Sequence, residues 1–322
     1  MRNPNTSAFR WIGCFAVFYL FFHATISSAQ LTTLRIGTNS PASTEAVLFK
    51  LSRDANIFKQ HQFDVEIVYI AGGTLAMQAL LGKSLDFLCT GGTPFILAYL
   101  EGVPAKIIGG VHNRLPYALI ANSAITSAAQ LQGKRIGISR FGSTDDYALK
   151  LALLQFGLNP KSDVNILQTG GPGTRLNALK AGAIDATVLT SGLAQIATKS
   201  GNTLLVDFGE KNIEYQQVAL ISRDDVLRGR SDLVKRFTKA YLDAIRHYKT
   251  QRDAAIRKTM SLLNTQDREI AEFDYNTRSK ALPDNGKPTL KGLQVALDDI
   301  GKDNPKAKTL AVQQLVDLSF LP

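Results

Sequence analysis

The residues best equipped for chemistry in this chain are small, and they come in clusters. The first half carries Asn39-Ser40 with Ser43-Thr44, then Gly72-Gly73-Thr74, then Thr90-Gly91-Gly92-Thr93. The second half carries Arg140-Phe141 with Ser143-Thr144-Asp145, then Gly171 with Gly173-Thr174, then Thr190-Ser191. Glycine lets backbone N–H groups approach a bound molecule closely, and a helix start favours negative charge. Such clusters suit the capture of a small molecule with an anionic group. Arg140 is the candidate for charge pairing with it. Phe141, Tyr117 and Tyr215 could supply apolar walls, and His112 and Asn113 lie nearby in sequence logic. The Ser/Thr pairs also read as helix caps, a role that accounts for at least one residue of each pair.

Catalysis finds little support. Beyond residue 29 the histidines are His61, His112 and His247, with no His-Glu-x-x-His and no metal-ligand spacing. Cys89 sits in an apolar run, where a thiol acts as a small hydrophobe. The stretch "GGPGTR" is half a dinucleotide fingerprint, with Leu176 where the third glycine would stand. Neither a Walker lysine nor a Gly-x-Ser-x-Gly elbow is present. No catalytic residue, metal site or cofactor is expected. The net charge of +10 is spread without a Lys/Arg run beyond two residues, so nucleic acid is not the expected partner.

The elements that must position these clusters are duplicated. "RIGTNSPASTEAVLFKL" (35–51) and "RIGISRFGSTDDYALKL" (135–151) share Arg-Ile-Gly, Ser-Thr and Lys-Leu in register. Each reads as a strand, a turn-rich loop and a helix opened by Ser-Thr-acid. Downstream, "MQALLGKSLDF" (77–87) pairs with "LNALKAGAIDA" (176–186) at an offset of 99. A strand and a Gly-rich turn precede each, and a strand follows each. The order β-α-β-α-β, twice, predicts two similar lobes built on parallel strands with helices on both faces. "AKIIGGVHN" and "YALIAN" read as consecutive strands, and "YQQVALISR" as a late one. The chain is expected to leave lobe one near 117 and return near 220, making a two-strand hinge. Open α/β sheets bind ligands beyond their strands' carboxyl ends, so both sets of clusters would line one cleft.

Arg2 and Arg10, the apolar run Trp11–Phe22 and the small residues of "ATISSAQ" read as an export signal over 1–29. The expected domains are residues 30–116 with 222–322 as lobe one, and 117–221 as lobe two.

As a set, "LRIGT", "GGTLAMQALLGKSLDF", "GVPAKIIGG", "LQGKRIGISRFGST" and "TRLNALKAGAIDA" make the chain resemble the substrate-binding proteins of ABC importers. The nearest branch is the nitrate/sulfonate/taurine type, which includes binders of thiamine pyrimidine precursors. The resemblance covers nearly all of 31–322. It implies a type 2 periplasmic-binding fold: two three-layer α/β lobes on a two-strand hinge, with C-terminal helices on the first lobe. It implies a periplasmic, monomeric protein that closes on a solute and delivers it to a membrane permease. Family ligand positions correspond here to Ser40, Thr90-Gly91, Asn113 and Ser143-Thr144. With the clusters above, the candidate site is Asn39, Ser40, Ser43, Gly73, Thr74, Thr90, Gly91, Asn113, Arg140, Phe141, Ser143, Thr144, Gly173, Thr174, Thr190 and Tyr215. The pyrimidine branch carries a Trp-x-Pro-Asn-like first loop, whereas this chain has "GTNSPAS" and its one tryptophan is Trp11. That departure moves the expected ligand towards a small anion, sulfonate or carboxylate. A secreted enzyme or a sensory ligand-binding domain on the same scaffold are the other readings.

Overall fold

Arg35 and Arg135, which open the two echoed segments, make the same backbone bond in the computed structural model. Arg35 N–H donates to Asp86 Oδ2 and Arg135 N–H to Asp185 Oδ2, each at 2.9 Å. These are the aspartates that end the second echoed stretch, so the sequence repeat is a structural one. The structure describes residues 30–322, and the export signal read at 1–29 lies outside the described residues.

In chain order, β1 (Thr32–Thr38), α1 (Thr44–Asp54), α2 (Ile57–Gln60), β2 (Phe63–Tyr69), α3 (Gly73–Leu81), β3 (Phe87–Thr90), α4 (Gly92–Leu100) and β4 (Ala105–Arg114) come first. After Leu115-Pro116 follow β5 (Tyr117–Ala121), β6 (Arg135–Ile138), α5 (Thr144–Gln155), β7 (Asn165–Gln168), α6 (Pro172–Lys180), β8 (Ala186–Thr190), α7 (Ser191–Lys199) and β9 (Thr203–Asp207). The last elements are β10 (Glu214–Arg223), α8 (Asp224–Gly229), α9 (Ser231–Thr250), α10 (Arg252–Leu263), α11 (Arg268–Ala281), α12 (Leu290–Ile300) and α13 (Pro305–Lys308).

Two five-stranded sheets result, ordered β2-β1-β3-β10-β4 and β7-β6-β8-β5-β9. In each, the first three strands are parallel, as the β-α-β-α-β order requires, and the last two run antiparallel to their neighbours. The sheets are therefore mixed, because β10 and β5 enter each sheet from the other lobe instead of through a crossover helix.

The return crossing falls earlier than expected. β10 pairs with β4 from Glu214, opposite Arg114, so residues 214–221 belong to the first sheet and the crossing is 208–213. Its apolar stretch Val218–Ile221 lies between β3 and β4, which pair with it on both edges. Val234, Phe237, Tyr241, Ile245 and Tyr248, spaced three and four apart, form the buried face of α9. Phe237 stacks on Phe87 at 4.0 Å between centroids and meets Phe63 edge-on at 6.1 Å. Each such ring buries roughly 2 kcal/mol of transfer free energy, which anchors the C-terminal helices to the first sheet.

One C-terminal helix also reaches the second lobe. Asp274 Oδ1 on α11 accepts from Gly192 N–H at the start of α7, at 3.0 Å. At the far end of α7, Lys199 Nζ pairs with Asp267 at 2.6 Å and Glu269 at 3.1 Å.

Candidate functional site

Six helices begin at one cavity between the lobes. Its lining includes the N-cap residues of α1, α3 and α4 from the first lobe, Ser43, Gly72 and Gly91. It also includes those of α5, α6 and α7 from the second, Ser143, Gly171 and Thr190. Ser43 alone caps with its own side chain, accepting from Ala46 N–H at 3.4 Å, and α7 is capped from α11, where Asp274 accepts from Gly192 N–H; the other four carry no side-chain cap. The cavity thus collects uncapped N–H donors at the positive ends of helix dipoles.

The cavity measures about 80 Å³. One water needs about 10–15 Å³ by such a measure, so the space suits a solute of a handful of heavy atoms. The lobes meet closely around it. A Cβ on Gly91 would collide with Thr144 Oγ1, and one on Gly171 with the Tyr69 hydroxyl. Gly72 adopts φ +87°, which a side chain disfavours, and so carries the chain into α3 beside Arg140. At the rim, Thr74 Oγ1 donates to Phe141 O at 3.4 Å across the cleft.

The second-lobe wall is held by a buried ion pair. Arg175 and Asp145 meet at 3.1 Å, with side-chain exposures of 2% and 6%. Asp145 also accepts from Ser139 N–H and Ser139 Oγ, each at 2.6 Å. Arg175 donates to Thr187 Oγ1, Gly170 O and Val188 O at 3.2, 2.7 and 3.0 Å. Both charges are spent on shaping the wall. On the hinge side stand Tyr117 and Gln217, whose Nε2 donates to the Tyr117 hydroxyl at 3.4 Å. Burial pushes the Tyr117 phenol above its ordinary range, so it stays a neutral hydroxyl.

Nine of the sequence candidates line this cavity: Asn39, Ser40, Ser43, Gly73, Thr90, Gly91, Ser143, Thr144 and Thr190. Seven do not. Arg140 and Phe141 are exposed on the loop before α5, and Gly173 and Thr174 lie exposed on the outer side of α6. Arg140 sits against Gly72 at the rim, so the expected charge partner does not reach the interior. Thr74 is exposed at the same rim. Asn113 turns to Lys287 O, donating at 3.0 Å. Tyr215 is fully buried, stacked on Tyr147 at 4.7 Å and bonded to Thr93. The Ser143 hydroxyl lies within 2.5–2.6 Å of Asp145 Oδ1 and Arg140 O and 3.0 Å from Ser139 Oγ, so its bonds serve the loop.

Sequence reading missed Glu45 and Arg175. Glu45 looked like an ordinary helix-start acid, yet it is 0% exposed and lines the cavity. Arg175 carried a usable signal, since the 99-residue offset places it opposite Ala76, a buried position of the first lobe.

A family model described as "NMT1/THI5 like" matches residues 51–255. The chain belongs to that family. Proteins of known structure share its architecture: the alkanesulfonate-binding protein SsuA of Xanthomonas axonopodis pv. citri, solved bound to MOPS, superposes with a TM-score of 0.73. It is 20% identical, over 88% of this chain and 98% of that one. The periplasmic nitrate-binding protein NrtA of Synechocystis superposes with a TM-score of 0.73 at 14% identity, over 90% and 87%. At these identities the likeness shows the fold, which is the two-lobed one expected. A protein of Brucella abortus named only as a binding protein is 29% identical over 136 residues. That match spans 42% of this chain and 41% of the relative, so the chain aligns to about two-fifths of that relative's length.

Proposed function

We propose that this member of the NMT1/THI5-like family is the extracytoplasmic solute-binding component of an ABC importer. It captures a small anionic organic molecule between its lobes and hands it to a membrane permease. The observation that carries this reading is the convergence of six helix N-termini, four without side-chain caps, on one cavity between the lobes. Backbone N–H groups so arranged are preorganised donors for a sulfonate or carboxylate and need no free cation. The fold relatives, an alkanesulfonate binder and a nitrate binder, support the same ligand class. The lining residues contain no His, Cys or Lys among the described residues, which favours capture over the secreted-enzyme reading. Export through the 1–29 signal and a monomeric shuttle complete the proposal.

The test is a thermal-shift screen of the purified protein against nitrate, alkanesulfonates and short carboxylates, followed by calorimetry on hits. One-site binding with the solute recovered unchanged is expected. Turnover of any hit, or binding confined to uncharged solutes, would overturn it.

A further inference from the structure

Among the described residues, seven charged side chains are buried, and six have a counter-ion. Arg175 pairs with Asp145, Asp274 with Arg278, Arg223 with Asp225 and Asp146 with Lys150. Glu45 is the exception. It is 0% exposed, lines the cavity, and neither carboxylate oxygen meets a donor in hydrogen-bond geometry. Two neighbours on the same wall are equally unsatisfied: both side-chain polar atoms of Asn39, and Thr90 Oγ1.

A folded protein does not bury a lone carboxylate cheaply. The cation that most influences Glu45 from within the protein, Arg278, pairs through Nε with Asp274 at 2.5 Å, and its unpartnered Nη1 makes no ion pair or hydrogen bond with Glu45. Burial raises the Glu45 pKa; the Ser43 hydroxyl and nearby backbone N–H groups, none in hydrogen-bond geometry with its oxygens, and Arg278 offset this only in part. Glu45 also stands in the first turn of α1, where the helix dipole favours its ionised form. A partner cation is missing, and the carboxylate faces the space where the solute would sit.

We propose that Glu45 seats a protonated amine of the bound solute. Asn39 Oδ1 and Thr90 Oγ1 are further acceptors, which together with the carboxylate match the three donors of an ammonium group. The ligand is then a compact zwitterion, an aminosulfonate or amino acid, and not a simple anion. Its acidic end faces the uncapped helix starts, and the cavity of about 80 Å³ keeps the two ends close. This inference rests on the solute-binding reading above and names the substrate class of that same site.

Calorimetry with matched pairs that differ only in the amine tests it: taurine against ethanesulfonate, glycine against acetate, β-alanine against propionate, γ-aminobutyrate against butyrate. The wild-type protein is expected to bind at least one amine member ten-fold or more tighter than its partner. Glu45→Gln is expected to abolish that advantage. Equal or tighter binding of the amine-free members by wild-type protein overturns the zwitterion inference and leaves the small-anion reading standing. Binding of no member, by protein with a native circular dichroism spectrum and a cooperative melt, overturns both. The wild-type comparison decides the matter even if the variant fails to fold.

Discussion

Gly91 of the first lobe lies directly against the Thr144 hydroxyl of the second, so closely that a Cβ on Gly91 would overlap it. The strand β3 ends at Thr90 and the helix α5 starts at Thr144, so this contact joins two sequence clusters more than fifty residues apart. It exists only when the lobes are shut. Gly91 itself has φ −66°, which any residue adopts, so a side chain there obstructs closure without straining the backbone.

Gly91→Ala is therefore expected to weaken solute binding about ten-fold or more, equivalent to roughly 1.4 kcal/mol, while leaving the melting temperature of the free protein nearly unchanged. Thr144→Ala added to it should recover part of the loss. Calorimetry on the three proteins checks this. Undiminished affinity in Gly91→Ala would mean that the shut state is not the binding state.

The ion pair of Arg175 and Asp145 makes a contrasting prediction, because it shapes the wall and is not free for the solute. Arg175→Met leaves Asp145 buried without its counter-ion, a change worth about 3–5 kcal/mol. Denaturant unfolding should show a loss of that order. A loss below about 1 kcal/mol would mean that Asp145 is satisfied by its Ser139 bonds alone.

The architecture was legible because it is written twice. Arg35 and Arg135 begin matched strands, and Asp86 and Asp185 bond to them identically, so a chain-internal comparison found both lobes. Loop clusters of Gly, Ser and Thr revealed the rim for the same reason, since those residues stand at strand ends in both copies. What the linear pattern does not encode is which way a loop side chain turns. Arg140 and Glu45 both stand near helix starts, yet Arg140 is exposed at the rim against Gly72 while Glu45, in the first turn of α1, is fully buried. Their difference is set by the packing of the opposite lobe, which enters only in three dimensions. The return crossing was misplaced by about eight residues because β10 opens with the polar run Glu214–Gln217 before its apolar stretch, so hydropathy alone does not mark where it joins the first sheet.

His112 gives a prediction about pH. It is fully buried on β4; its Nδ1–H faces Arg114 O at 3.0 Å, and its Nε2 has no partner. Burial, with smaller contributions from the positive charges of Arg278 and Arg114, pushes its pKa down to about 3 from an ordinary 6.5. The folded state thus holds His112 neutral where the unfolded chain would protonate it. Its contribution to stability is full above about pH 6.5 and is lost progressively as the pH falls towards 3. Between pH 7.5 and 5.5 the loss should be about 1.4 kcal/mol. His112→Asn keeps a donor for Arg114 O and has no proton to gain, so its unfolding free energy should fall less by that amount over the same interval. Identical pH slopes in the two proteins would show that solvent reaches the imidazole.

Glu45 sets binding against stability, and the sign of that conflict is testable without any ligand. Its pKa is raised in the folded protein by burial, so the folded state holds a proton more tightly than the unfolded chain does. The stability it contributes is full below its ordinary value of 4.5 and is lost as the pH rises through the raised value. At pH 8 an empty cavity therefore carries a carboxylate that water would solvate better. Glu45→Gln removes the charge, keeps the volume and should stabilise the ligand-free protein at pH 8 by roughly 1 kcal/mol or more, with the gain vanishing near pH 4. Thermal melts of both proteins at the two pH values measure it. A variant less stable than wild type at pH 8 would mean that the carboxylate is satisfied inside the empty protein, and the residue would then be a structural acid and not a vacant seat.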